Sequence, residues 1–153
     1  MKILITGKNS YISNNIKVWI HKHNPDFFID IISLRNNLPD INYLNKFDVL
    51  IHCAAAVHMK ETPNNKNYFF EVNSNLTEKL CALCKTSTIK HFIFFSTMAV
   101  YGMKDSISSV PNITSETKCE PYSYYGMSKL DAENKILNLE EEDFKISIIR
   151  PPM

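Results

Sequence analysis

The stretch TGKNSYIS, residues 6–13, decides the fold because it joins an apolar run of strand length to a segment with helical periodicity. The run before it, KILI, is typical of a buried strand. Gly7 can make the tight turn off such a strand, and the free N–H groups at the start of the following helix would face a pyrophosphate. Ser10 and Ser13 stand where a G-x-x-G-x-x-G spacing has its next glycines. This loop alone is weak evidence of phosphate binding.

The two serines raise a conformational question. A residue other than glycine costs about 1–2 kcal/mol in a left-handed backbone conformation, whereas a position that needs only close packing can accept a hydroxymethyl group. We expect Ser13 to push the first helix outward or to strain it, and we expect the loop to bind more weakly than one with three glycines.

Apolar runs of strand length recur along the chain and predict its architecture. They lie at residues 2–6, 27–34, 47–53, 91–96 and 145–149. Segments with helical periodicity separate them, a pattern typical of a parallel sheet covered on both faces. We predict one α/β domain over residues 1–153, a doubly wound parallel sheet of Rossmann type. The longest connection, residues 101–121, would leave the carboxyl end of a strand, where such sheets bind ligands.

Composition excludes several classes of function. The net charge is +1 and the chain has no basic block, which argues against a nucleic-acid partner. No run of eighteen apolar residues is present, and the apolar run at the N-terminus is too short for a signal peptide. We therefore predict no membrane span and a cytoplasmic location.

The cysteines raise a metal or redox hypothesis that we do not favour. Cys81 and Cys84 lie three apart, but a tetrahedral zinc site would need two more ligands, and only the isolated Cys119 and His91 are available. Within a helical pattern, cysteines three apart most often face the core. We therefore predict no metal site.

Two further motifs carry acid/base chemistry. In YYGMSK, residues 124–129, Tyr125 and Lys129 are four apart and hence neighbours on one helix face. A nearby cation can lower the pKa of a tyrosine by roughly one to three units, and Lys129 could be that cation. In FFSTMAVYG, residues 94–102, Ser96 and Thr97 follow a buried strand, where a hydroxyl can donate to a substrate oxygen whose proton Tyr125 moves.

In their joint order the motifs resemble the extended short-chain dehydrogenase/reductase superfamily, in its nucleotide-sugar epimerase and dehydratase branch. The matching segments are ILITG at 3–7, DVLIHCAA at 48–55, VN at 72–73, STMAVYG at 96–102, YGMSK at 125–129 and IRPP at 149–152. The resemblance implies that Tyr125 is the acid/base, that Lys129 holds the nicotinamide ribose and lowers the pKa of Tyr125, and that Thr97, with Ser96 adjacent, assists. The cofactor-binding residues that it implies are Gly7, Ser10, Tyr11, Ile12, Ser33, Arg35, Ala54, Ala55, Asn73, Lys129 and Pro151.

The resemblance implies a nicotinamide cofactor but leaves NAD or NADP open. Where an acid would bond the adenosine ribose of NAD, we read Ser33, Leu34 and Arg35, and a small hydroxyl residue with a nearby arginine would suit the 2′-phosphate of NADP. Asp30 is the acid instead if the second strand has another register. His52 and His58 flank the alanines at 54–56; we favour hydrogen-bonded structural roles for both over one that lines the cofactor pocket.

The reaction follows from two departures. Dehydratases of the family carry an Asp-Glu pair where this chain has Met98 and Ala99, so epimerisation or ketone reduction of a UDP- or dTDP-sugar is favoured. Family members also continue past RPP with a part that grips the nucleotide-sugar, and this chain is therefore expected to be the N-terminal portion of such an enzyme. Without that part, exposed apolar sheet surface predicts self-association, for example as a homodimer. The alternative is a non-catalytic dinucleotide-binding module or a truncated relic without turnover.

Overall fold

A computed structural model of the chain describes residues 1–102, 112–114 and 116–152. Its centre is a five-stranded parallel sheet in the order β2-β1-β3-β4-β5. The strands are β1 Lys2–Thr6, β2 Phe28–Ile32, β3 Val49–His52, β4 His91–Phe95 and β5 Lys145–Ile149. Each predicted apolar run contains one of these strands, so the predicted doubly wound parallel sheet is confirmed.

Helices fill the intervals between the strands. They are α1 Tyr11–His23, α2 Ile41–Leu44, α3 Lys66–Phe70, α4 Leu76–Lys85 and α5 Tyr124–Leu137. A 3₁₀ turn at Pro63–Asn65 leads into α3, a π-helical segment at Glu71–Asn75 joins α3 to α4, and a second 3₁₀ turn at Met98–Tyr101 follows β4. Part of the long connection predicted to be functional, residues 103–111 and 115, lies outside the described residues.

Two apolar layers cover the sheet because alternate residues of each strand point to opposite faces. On one face Leu4 packs in a cluster with the buried side chains of α4 and α5, such as Leu80 and Ile136. On the other face Ile3 and Ile5 pack with residues of α1. Helices therefore cover both faces of the sheet, with α4 and α5 on one and α1 on the other, as in a doubly wound fold.

Cys81 and Cys84 are fully buried in the first of these layers, as their helical spacing predicted. Within the residues that the structure describes, no group of three or more His, Cys, Asp or Glu side chains is placed to hold a metal ion. In the same part of the chain no helix is long and apolar enough to cross a membrane.

The strand order reverses between β1 and β3, and this reversal positions the site. Strand β1 pairs with β2 on one side and with β3 on the other, and Thr6 lies level with both Ile32 and His52. The connections that leave β1 and β3 therefore diverge to opposite faces and open a crevice at the carboxyl ends of the strands, where doubly wound sheets bind ligands.

Candidate active site

The turn after β1 requires glycine at its first position. Gly7 has a φ of +100°, and a Cβ there would lie 3.3 Å from the backbone nitrogen of Ala54. The backbone N–H groups of Gly7 and Lys8 both donate to the carbonyl of Ile32, at 2.9 and 3.2 Å. These bonds hold the loop beside the ends of β2 and β3, at the crevice.

Serine hydroxyls, rather than glycines, shape the rest of this loop. Ser10 has an extended backbone and caps α1, since its Oγ accepts from the N–H of Ile12 at 3.2 Å. The Oγ of the fully buried Ser13 lies 2.6 Å from the carbonyl oxygen of Gly7 and 3.0 Å from that of Ser10. Among the described residues other than glycine, only His58 has a positive φ. The expectation that Ser13 strains the start of the first helix is therefore wrong for its backbone. The dihedral angles of Ser13 are ordinary, and its hydroxyl is held in hydrogen bonds.

The start of α1 suits a pyrophosphate. The N–H of Tyr11 has no acceptor within the described part of the chain, and the first turn carries no acidic side chain. The side chains of Tyr11 and Ile12 are exposed at this end of the helix. An open N-terminus on a helix of thirteen residues favours an anionic group through its N–H donors and its dipole.

The end of β2 presents the predicted Ser33 and Arg35. Both are exposed, and the Oγ of Ser33 accepts from the N–H of Arg35 at 3.3 Å. Asp30 lies inside β2, where its carboxylate accepts from the Tyr43 hydroxyl at 2.6 Å. The register therefore puts Ser33, rather than Asp30, at the end of the strand.

Asn73 shapes the segment after β3 from behind. Its side-chain oxygen accepts from the N–H of Ala56 at 2.7 Å, and its Nδ2 donates to the Ala56 carbonyl at 3.1 Å and to the Ser128 hydroxyl at 3.0 Å. Asn73 is buried in the π-helical segment, a kind of irregularity that often occurs at functional sites. It would therefore act on a cofactor through the backbone that follows Ala54 and Ala55.

His52 is a structural residue, as predicted. It is fully buried between the hydroxyls of Thr6, 2.7 Å from Nδ1, and Thr77, 2.9 Å from Nε2. Because the Thr77 hydroxyl donates to the carbonyl of Asn73, it accepts from Nε2–H of His52, and Nδ1 accepts from Thr6. Burial, with a smaller effect of the Lys129 charge, lowers the pKa of His52 to about 3 and keeps the ring neutral.

Thr97 and Tyr125 come together at the end of β4. Thr97 is buried, its Oγ1 accepts from the N–H of Ala99 at 3.1 Å, and its side chain lies beside that of Tyr125. Burial raises the pKa of Tyr125, and the interaction with the Thr97 side chain offsets this only in part. The side chain is therefore a neutral phenol at neutral pH.

Lys129 lies almost fully buried one helical turn after Tyr125. Its Nζ donates to the carbonyl of Phe95 at 2.5 Å and lies 3.9 Å from the centre of the Phe94 ring. Burial lowers the pKa of Lys129 to about 7, against smaller opposite effects of Cys53 and Glu133. The expectation that Lys129 lowers the pKa of Tyr125 is wrong for this structure, because burial raises that pKa and the smaller opposite effect comes from Thr97 rather than Lys129.

Ser96 belongs to a neighbouring network that the sequence did not predict. Its Oγ donates to the buried carboxylate of Glu133, which pairs through both oxygens with Arg150 at 3.0 and 2.5 Å. Arg150 also donates to the Tyr101 hydroxyl at 2.6 Å. Ser96 thus faces Glu133 rather than forming part of the Thr97 and Tyr125 pair. The position of Glu133, four residues after Lys129 on α5, was the available signal.

This network extends to the residues after β5. The carbonyl of Pro151 accepts from the N–H of Met98 at 3.2 Å, and the carbonyl of Ile149 accepts from the N–H of Ser96 at 2.7 Å. Pro151 therefore lies beside the turn that follows Thr97.

A cleft of about 250 Å³ opens in front of Tyr125. Its lining includes His58, Met59, Glu61, Phe69 and Tyr122. The exposed His58 has a φ of +60°, a left-handed conformation that is uncommon outside glycine and persists where the surroundings enforce it. The arrangement combines a phosphate-compatible loop, a phenol beside a hydroxyl, and space for a ligand.

These features define a Rossmann-type α/β domain of the class that binds dinucleotides. Residues 3–153 match the model of the NAD dependent epimerase/dehydratase family, and the chain belongs to that family.

Individual relatives agree with this assignment. An uncharacterised UDP-glucose epimerase of Bacillus subtilis is 26% identical over 97% of this chain and 54% of its own length. A UDP-glucose 4-epimerase of Vibrio cholerae is 30% identical over 73% of this chain and 37% of its own. The chain thus spans about half the length, or less, of these relatives.

Solved structures share the fold. The UDP-glucuronic acid 4-epimerase of Bacillus cereus in complex with NAD superposes with a TM-score of 0.82 at 22% identity, over 100% of this chain and 56% of that one. The UDP-Glc/GlcNAc 4-epimerase of Campylobacter jejuni gives a TM-score of 0.79 at 25% identity, over 97% of this chain and 52% of its own.

Proposed function

We propose that the chain supplies the cofactor-binding and acid/base part of an NAD(P)-dependent epimerase or ketone reductase that acts on a nucleotide-sugar. The observation that carries this proposal is the position of Tyr125, which lines a cleft at the carboxyl edge of the sheet and lies beside the side chain of Thr97. Membership of the family supports it. A non-catalytic binding module is not favoured, since Thr97, Tyr125 and Lys129 all lie at this edge.

The residues present fit a nicotinamide dinucleotide. The loop of Gly7 and Ser10, with Tyr11 and Ile12 at the start of α1, would hold the pyrophosphate, and Ser33 and Arg35 would lie toward the adenosine ribose. The segment of Ala54 and Ala55, with Pro151, would line the nicotinamide side. The bound cofactor supplies the hydride chemistry, as NAD or as NADP. Lys129 donates one N–H to the Phe95 carbonyl, and its remaining N–H groups would be donors for the ribose.

Tyr125 would move the proton. It donates its proton to the oxygen of a keto sugar, or, once its own proton has passed to solvent, takes the proton of a sugar hydroxyl, while Thr97 holds the same oxygen. Such transfer contributes on the order of 10²- to 10⁴-fold to the rate. Because burial raises its pKa, Tyr125 in the free chain keeps its proton and can donate it to the oxygen of a keto sugar.

The substrate class rests on the relatives. Their names specify UDP-glucose and UDP-glucuronic acid, and a dTDP-glucose dehydratase of Dictyostelium discoideum is 29% identical over 97% of this chain. We propose a UDP- or dTDP-sugar. We also propose a homodimer, which light scattering would detect and a monodisperse monomer would contradict.

A fluorescence titration tests the function first. The purified chain is titrated with NADH and, separately, NADPH, and saturable binding of one is expected. The nucleotide that binds also shows whether Ser33 and Arg35 accept the 2′-hydroxyl of NAD or the 2′-phosphate of NADP. NAD⁺ with UDP-glucose or UDP-glucuronic acid then follows, and appearance of NADH fluorescence or of an epimerised sugar is expected. A folded chain that binds neither nucleotide would contradict the proposal.

A further inference from the structure

The carboxylate of Glu61 joins two parts of the site that are far apart in sequence. Its Oε2 accepts from the backbone N–H of Tyr124 at 2.7 Å, and its Oε1 accepts from the N–H of Tyr125 at 2.9 Å. Glu61 belongs to the segment after β3, whereas both amides open α5. The half-buried carboxylate therefore fixes the backbone of the acid/base residue itself.

The backbone around Glu61 is held independently. The side chain of Asn65 accepts from the N–H of Thr62 at 2.9 Å and donates to the carbonyl of Lys60 at 2.9 Å, so both neighbours of Glu61 are fixed by one residue. Three residues earlier, His58 adopts its left-handed conformation. Strain of this kind persists only where surrounding contacts determine the path of the chain. The segment thus presents Glu61 to α5 from a rigid base.

The helix does not need Glu61 as its cap. Ser123 is already the N-cap of α5, and its Oγ accepts from the N–H of Gly126 at 3.0 Å. The amides of Tyr124 and Tyr125 would face water at an ordinary helix start. Glu61 adds bonds from another part of the chain, which is what a positioning device requires.

We propose that Glu61 is a positioning residue that fixes Tyr125 relative to the segment lining the cofactor. This inference rests on the proposed function for its catalytic meaning. Hydride and proton transfer act on one sugar carbon and its oxygen, so the cofactor segment and the phenol must keep a fixed separation. A displacement of about 1 Å can cost roughly 10²-fold in rate. Glu61 acts through the Tyr125 backbone and touches no reacting atom.

The chemistry of the clamp selects the test variant. A carboxylate offers an acceptor to each N–H, whereas the amide of Glu61→Gln turns one acceptor into a donor that opposes an N–H. Glu61→Asp keeps the charge but is one methylene too short to reach both amides. Glu142→Gln, at an exposed turn, makes the same change of charge elsewhere and is the matched control.

Amide hydrogen exchange of the 153-residue chain tests the clamp without any activity. In Glu61→Gln, exchange at the amides of Tyr124 and Tyr125 is expected to become at least about tenfold faster, with Gly126 unchanged. Ser123→Ala is expected to speed exchange at the amide of Gly126 and to leave those of Tyr124 and Tyr125 unchanged. Glu142→Gln is expected to change none of the three. If Glu61→Gln does not fold by circular dichroism, Glu61→Asp replaces it. Equal exchange in the variant and the wild type would overturn the proposal.

Kinetics test the positioning role. In Glu61→Gln, kcat is expected to fall about 10- to 100-fold while KM and the Kd for NADH change less than about twofold. An unchanged kcat would overturn the positioning role even if the amides were released. For a wild-type chain without turnover, the pH titration of ¹³Cζ-labelled Tyr125 replaces kcat as the readout. A pKa of Tyr125 that is the same in Glu61→Gln and in the wild type would overturn the positioning role of Glu61. Failure of the wild type to bind NADH would reject the proposed function alone, because the exchange result stands without it.

Discussion

The loop after β1 and the group of Thr97, Tyr125 and Lys129 depart from expectation in opposite ways. The loop has lost two glycines in sequence, yet Ser10 and Ser13 keep ordinary backbone dihedrals and bind their own loop through hydroxyls. The group of Thr97, Tyr125 and Lys129 keeps every expected residue, yet the pKa of Tyr125 is raised and Lys129 donates to a backbone carbonyl. The presence of an expected residue therefore does not fix its pKa or its hydrogen bonds, because these depend on how deeply the side chain is buried.

The largest expected effect lies in the group of Thr97, Tyr125 and Lys129. Tyr125→Phe removes the proton donor while keeping the ring, so turnover of a nucleotide-sugar is expected to fall about 10²- to 10⁴-fold. The Kd for NADH is expected to change little, because the loop after β1 is untouched. Single-turnover fluorescence and an equilibrium titration measure the two quantities. Equal turnover in Tyr125→Phe would show that the phenol moves no proton.

A smaller effect concerns the buried charge of Lys129. Its pKa is lowered from 10.5 to about 7 in the folded chain, so between those values the unfolded chain binds more protons and stability rises with pH. The slope is at most about 1.4 kcal/mol per pH unit. Urea unfolding between pH 7 and 8.5 measures it, below the range in which burial of cysteines such as Cys53 opposes it. Lys129→Met is expected to flatten the profile, and the exposed Lys22→Met is expected to leave it unchanged. A profile already flat in the wild type would contradict the lowered pKa of Lys129.

The next effect lies in the loop, at its remaining glycine. Gly7→Ala places a Cβ on a φ of +100° and against the Ala54 nitrogen, so a loss of about 1–2 kcal/mol or more is expected. NADH binding should weaken as well, because the turn carries the loop. Asn9→Ala, at an exposed position of the same loop, is the control. Denaturant unfolding and NADH titration would find the two variants alike if Gly7 were conformationally ordinary.

The smallest effect decides what the serines do. Ser13→Ala removes the hydroxyl that contacts the carbonyls of Gly7 and Ser10, and a loss of about 0.5–1.5 kcal/mol is expected. Ser13→Gly, which restores the usual residue, is expected to be no more stable than Ser13→Ala, since glycine inside a helix costs about 0.5–1 kcal/mol relative to alanine. Thermal unfolding measures both. A glycine variant more stable than the wild type would mean that Ser13 strains the loop after all.

The sequence predicted the sheet well because each buried strand is a nearly unbroken apolar run, such as FIFF before Ser96. It also predicted that Tyr125 and Lys129 lie together, since they are neighbours on one helix turn, and their acid/base role stays a prediction. It missed Glu61 and the partners of Ser96, because these contacts join residues that are distant along the chain and no local periodicity marks them. The predicted lowering of the Tyr125 pKa was wrong for the same reason, since segments distant along the chain bury the phenol and burial raises its pKa.

The π-helical segment at Glu71–Asn75 has a consequence for the helices that it joins. A regular helix turns by about 100° per residue, and the extra residue of a π turn shifts the angular phase of everything after it by about that amount. Phe69, before the shift, lines the cleft, and Leu80, after it, packs in the core. One continuous helical wheel cannot describe both faces. Deleting a single residue within this segment would rotate one of the two surfaces away from its partner, although every amino acid in contact stayed the same.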